Sequence, residues 1–83
     1  MNIDMQKFEV DQNFDFFQRN LAKFLERHEG SYALLKECKA IDFFETPGQA
    51  YEAGRSRFPD GIFSIQEVTD EPIDLGFFSH AGY

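Results

Sequence analysis

Eighty-three residues with 42% hydrophobic and 17% aromatic content describe one small globular domain rather than a disordered chain. The 8 basic and 15 acidic residues give a formal charge of −7, with lysine and arginine spread along the chain, which argues against direct binding to nucleic acid or to an anionic membrane. A single cysteine, Cys38, excludes an intramolecular disulfide; the absence of a leader-like N-terminus, or of any run approaching about 18 apolar residues, predicts a soluble cytoplasmic protein.

Eleven of the residues are phenylalanine, and three doublets stand out: Phe16-Phe17, Phe43-Phe44 and Phe77-Phe78. Neighbours on a strand point to opposite faces, and neighbours on a helix diverge by about 100°. One small core cannot easily take both rings of every pair, so a surplus of aromatic surface is expected.

Residues 1–12 show no clear period and read as a mobile N-terminal arm, pinned by Phe8 or Val10. Asn13 reads as the N-cap of a first helix, with Asp15 near its positive end. Phe14, Phe17, Leu21, Phe24, Leu25 and His28 fall on one stripe at helical spacing, and Gly30 ends the helix. Phe16 falls on the polar side, either covered by the arm or exposed.

Two β-type runs follow, 31–36 and 40–44, joined by Glu37-Cys38-Lys39 as a hairpin. Strict alternation puts Ile41 and Phe43 on one face and Asp42 and Phe44 on the other. In the first run Tyr32 and Leu34 oppose Ala33 and Leu35, and either pair can face the core. Thr46-Pro47-Gly48-Gln49 is a helix start with proline at the first helical position. The second helix extends to about Phe58, with Ala50, Tyr51, Gly54 and Phe58 on one face, Ala50 and Gly54 forming a smooth strip for close approach to a sheet. Pro59-Asp60-Gly61 turns the chain into a third strand, 62–68, with Phe63 and Ile65 inward, and residues 69–72 end it. The last eleven residues, 73–83, form an apolar C-terminal tail.

The order α-β-β-α-β over residues 13–72 predicts an α+β domain. Its sheet is three-stranded and antiparallel, in the order 2-1-3, with both helices on one face. The other face is open or covered by the tail, and Phe44 points to it.

The stretch from Phe14 to Phe78 resembles a family of short bacterial α-β-β-α-β domains of unknown function. The resemblance rests on Gly30-Ser31-Tyr32-Ala33-Leu34-Leu35 after an amphipathic helix, on Phe43-Phe44-Glu45-Thr46, on the Ala50/Gly54 helix ending in Arg57-Phe58, and on the strand 63–68. The chain departs from it at the hairpin, where Asp-Gly or a similar turn is usual and Glu37-Cys38-Lys39 stands here. The resemblance implies a fold and no activity.

No catalytic, cofactor or metal site is expected. His28 and Cys38 are a conceivable thiol–imidazole pair, but His28 closes a helix stripe and Cys38 sits in a turn. His28, Cys38 and His80 are too scattered for a metal. Asp70, Glu71 and Asp74 lack calcium-loop spacing. Gly48 stands alone beside Pro47, without the glycine-rich loop of a phosphate cradle.

The tail is read as a recognition peptide, an added edge strand, a dimer clasp, or a cover for its own sheet. The resulting expectation is a small non-enzymatic interaction module, an adaptor or accessory subunit that binds a protein partner or a second copy as a homodimer. It would act through the outer sheet face and the tail, with Phe44, Leu75, Phe77, Phe78 and Tyr83 as contact residues. The alternative is an acidic regulator, antitoxin-like or a nucleic-acid mimic, covering a basic surface of its partner. An enzyme using Cys38 and His28 is the third reading.

Overall fold

The computed structural model describes residues 2–71, with side chains described from residue 7 onward. The tail 73–83, and with it the expected contacts at Leu75, Phe77, Phe78 and Tyr83, lies outside the described residues.

The first helix, α1, spans Asn2–Arg19, so the segment expected to be an arm is helical. Neither glycine nor proline interrupts it, and the pairs Lys7–Asp11 (3.8 Å) and Asp15–Arg19 (2.9 Å) brace it at i,i+4 spacing. Val10, Asn13 and Phe17 follow one another at spacings of three and four and are all buried. Asn13 is therefore an interior residue of the helix and not its cap. Phe8, on the other side of the helix, remains 65% exposed.

The single helix expected from Asn13 to Gly30 is broken at Asn20. This residue adopts φ −109°, ψ 13°, and its side-chain amide donates to the Phe16 carbonyl at 2.9 Å. A second helix, α2, then spans Leu21–His28. The break brings Phe24 back over the Phe16-Phe17 doublet, edge-on to Phe16 (centroids 6.2 Å) and stacked on Phe17 (5.5 Å). Phe16 is thus covered by α2 rather than by an arm. Gly30 has φ +88°, as expected of a left-handed terminator, and its amide donates to the Val68 carbonyl at 2.8 Å.

Strands β1 (Tyr32–Lys36) and β2 (Lys39–Phe44) form the hairpin, with Lys36 opposite Lys39. The connection is the two-residue turn Glu37-Cys38, and both residues have positive φ, 51° and 61°. Such a turn is the primed type that matches strand twist and usually carries Asn-Gly. Further along, Leu35 faces Ala40 and Leu34 faces Asp42, so Ile41 is an extra, bulged residue. The third helix, α3, spans Pro47–Arg57 and starts as expected: Thr46 Oγ1 accepts the Gln49 amide at 3.1 Å, while Gln49 Oε1 accepts the Glu45 amide at 3.1 Å. Strand β3, Ser64–Glu67, pairs antiparallel with β1 and completes an α+β fold with strand order β2-β1-β3.

The helices divide between the two faces of this sheet, a correction to the expectation that they share one. Ala33, Leu35 and Val68 pack with Phe17 and with Phe16, Leu21, Phe24, Leu25, Ala40 and Phe43, beneath α1 and α2. Leu34, Ile65 and Phe63 pack with Ala50 and with Tyr32, Ile41, Phe44, Tyr51, Ala53 and Phe58, beneath α3. The reason lies in the central strand, where Ala33, Leu34 and Leu35 are all fully buried, so each face needs its own cover. The bulge then separates Ile41 from Phe43, sending the first to the α3 side and the second to the α1 side. Gly54 sets how closely α3 approaches: a Cβ there would lie 2.6 Å from the Phe63 ring. Among the described residues no helix is long and apolar enough to cross a membrane.

Candidate functional site

Phe43 and Phe44 end the edge strand β2 and point to opposite sides of the sheet, so their rings straddle its corner. Phe43 lies under the His28 ring, parallel to it with centroids 3.7 Å apart, and is flanked by Phe24 at 5.5 Å. Phe44 is half-buried against the α3-side core. The structure thus places Phe44 on a helix-covered face and not on an open outer one.

Together with Glu45, Thr46, Gly48, Gln49 and Glu52, the two rings line a shallow, solvent-open groove of about 790 Å³. Local chemistry shapes it. Thr46 Oγ1 and Gln49 Oε1 both accept hydrogen bonds in the helix cap. Gly48 leaves the wall bare, since a Cβ there would meet only Thr46 Oγ1, at 3.9 Å. Glu45 and Glu52 are exposed and form no ion pair among the described residues, whereas nearby Asp42 faces Arg57 at 3.8 Å.

The strand edge beside the groove is blunted. Asp42 Oδ1 accepts the Phe43 amide at 2.8 Å, and the bulge at Ile41 interrupts the regular ladder. Side chains, more than free backbone groups, therefore define this surface.

The conceivable thiol–imidazole pair is not brought together. Cys38 precedes β2 and His28 stacks on Phe43 near its far end, about five residues or roughly 16 Å away at strand rise. The Cys38 amide donates to Asn13 Oδ1 at 2.8 Å, and its exposed thiol lies 3.7 Å from the Gln12 carbonyl. No group of three or more metal-ligating side chains occurs among the described residues; His80 and Asp74 lie outside them.

Two further polar clusters hold the fold. Asn13 Nδ2 donates to Ser64 Oγ (3.0 Å) and to the Leu35 carbonyl (3.4 Å), while the Glu9 carboxylate accepts the Glu37 amide at 2.7 Å. One turn of α1 thereby satisfies both backbone amides of the strained hairpin turn. On the α3 face of the sheet, Lys36 Nζ contacts both Asp60 oxygens (2.9 and 3.1 Å) and the Ile62 carbonyl, and lies over the Phe58 ring. Burial disfavours the charged form of Asp60, but the Ile62 amide (2.9 Å) and the Lys36 ammonium outweigh it and hold its carboxyl below the ordinary value.

Compared with protein-family models, curated proteins and solved structures, the chain gives no match. The resemblance noted above rests on its motif residues alone. Of the groove residues, sequence reasoning singled out Phe44 alone; Phe43, Glu45, Gln49 and Glu52 were missed as site residues. The available signal was an aromatic doublet immediately before a helix cap, which places two rings and the first helical turns around one corner.

Proposed function

We propose that this chain is a small non-enzymatic interaction module, an adaptor or accessory subunit, whose contact surface is the groove around Phe43 and Phe44. The groove carries this reading: partly exposed rings are fixed on a strand end and a capped helix, a rigid platform of the kind that anchors partner side chains. It replaces the outer sheet face in that role, because helices cover both faces. The apolar tail, with Leu75, Phe77, Phe78 and Tyr83, is proposed from its sequence as a second contact element. Glu45 and Glu52 favour the related reading of an acidic regulator that covers a basic surface, since neither carboxylate has an ion-pair partner among the described residues.

Site-specific photocrosslinking tests the proposal. A benzophenone side chain at Glu52, beside the groove, is expected to capture a partner or a second copy in cells of the native host, and one at Glu26, on exposed α2, is not. Equal capture from both positions, or capture from Glu26 alone, refutes the groove as the contact surface. Loss of capture in high salt selects the acidic regulator over the aromatic adaptor.

A further inference from the structure

The groove at the end of β2 carries a chemical preference that narrows its occupant. Phe43 and Phe44 line it, and two of its acceptor oxygens, Thr46 Oγ1 and Gln49 Oε1, are already used in the helix cap. The same lining offers a ligand apolar ring surface together with two carboxylates, Glu45 and Glu52, neither with an ion-pair partner among the described residues. We propose that this groove takes an arginine side chain from an apolar segment of a partner protein, its guanidinium plane resting on the Phe44 ring and its charge shared between Glu45 and Glu52. The inference builds on the groove being the contact surface.

Other occupants fail on charge. The chain's own tail carries Asp74, follows Asp70 and Glu71, and contains neither lysine nor arginine; the last cation of either type is Arg57. A second copy docking groove to groove about a two-fold axis would set Glu45 and Glu52 against their own equivalents, in a molecule of net charge −7. Phosphate backbones and anionic lipid headgroups are repelled by the same two groups. A cationic side chain is opposed only by the partial positive charge of the α3 N-terminus, against which stand the two full carboxylate charges, and the overall charge steers it in. Between the two long cations, arginine fits better: its flat, weakly hydrated guanidinium stacks on aromatic faces, whereas the lysine ammonium is a compact, strongly hydrated point charge.

The test is an NMR titration of the full-length, ¹⁵N-labelled chain with two capped pentapeptides, Ala-Leu-Arg-Leu-Ala and the same peptide with citrulline in place of arginine. Citrulline keeps the shape and removes the charge. The arginine peptide is expected to shift the amides of Phe44, Glu45, Gly48 and Glu52, and to bind at least about fivefold more tightly than its citrulline counterpart. Each of Glu45→Gln and Glu52→Gln, exposed and outside both cores, should weaken the arginine peptide by about two- to fivefold. The double variant should abolish the difference between the peptides while leaving the remaining spectrum in place. Equal binding of both peptides in the groove overturns the arginine preference but leaves the groove as a contact surface. Absence of shifts in the groove with the arginine peptide overturns the inference as well, while the crosslinking at Glu52 decides the broader reading separately.

Discussion

Asn13 and Cys38, 25 residues apart, are joined by a 2.8 Å hydrogen bond from the Cys38 amide to the Asn13 side-chain oxygen. Cys38 holds a left-handed backbone conformation (φ 61°) that disfavours any residue with a Cβ. The helix thus supplies a partner to a turn whose own sequence does not favour it. Replacing Asn13 by leucine should destabilise the fold by about 2–4 kcal/mol, because the buried Ser64 hydroxyl and the Cys38 amide lose their partner. Cys38→Gly should stabilise it by about 1 kcal/mol through relief of the same strain. Urea midpoints for the two variants, moving in opposite directions, check the arrangement.

Gly54→Ala tests the contact between α3 and the sheet. Helix propensity alone would favour alanine by up to about 1 kcal/mol. The added methyl would, however, sit 2.6 Å from the Phe63 ring, within a fully buried core. A net loss of about 1–3 kcal/mol is expected, because overpacking forces the helix or the ring to move. A gain in thermal midpoint would show that the ring yields freely.

Asp60 predicts an acid-side sensitivity. Its folded carboxyl titrates below the ordinary 3.8, so its contribution to stability is present in full above that value and fades as pH falls through the folded pKa. Asp60→Asn should therefore flatten the decline in stability below about pH 4 relative to the parent chain, and Lys36→Met should flatten it too. Since the Asp60 side chain is 54% exposed, the effect is modest and should shrink in high salt. Chemical denaturation between pH 2.5 and 6, at two ionic strengths, measures both trends.

Removal of residues 73–83 should leave the three-stranded domain folded, with an unchanged far-ultraviolet spectrum for its helices and sheet. Assembly state or partner retention should change, because the deleted segment carries Leu75, Phe77, Phe78 and Tyr83. Sedimentation of the shortened chain, alongside crosslinking from Glu52, separates these outcomes. Unaltered mass together with an unaltered crosslink would remove the tail from the contact surface.

Where a signal was local, the sequence was readable. Thr46-Pro47 starts a helix by its own chemistry, and two β-type runs around a short polar link read as a hairpin, which with a helical crossover most simply gives the order 2-1-3, although Lys39 belongs to the strand and the turn has two residues. The N-terminal half of α1 was hidden because its buried stripe runs through Asn13, a residue whose partners are 25 and 51 positions away. The break at Asn20 was hidden because the apolar spacing continues across it. The split of the helices follows from a central strand buried on both faces, which its sequence left open, and the separation of Ile41 from Phe43 follows from a one-residue bulge that inverts alternation and that no local signal marks. The groove was half legible: Phe44 was marked as surplus, but its glutamate neighbours gain meaning only when α3 folds beside the end of β2.

The bond from Asn13 to Ser64, across 51 residues, also governs the order in which the molecule can be completed during synthesis. Asn13 and Phe17 leave the ribosome 51 residues ahead of Ser64, to which Asn13 bonds, and Val68, on which Phe17 packs. At about 5–20 residues per second, α1 waits roughly 3–10 s for the last part of its cover, α2 and the hairpin having emerged before β3. During that interval the nascent chain is a natural client for any chaperone near the exit tunnel, and a chain truncated before β3 would carry its three helices and hairpin with Val68 missing from one core and Ile65 from the other.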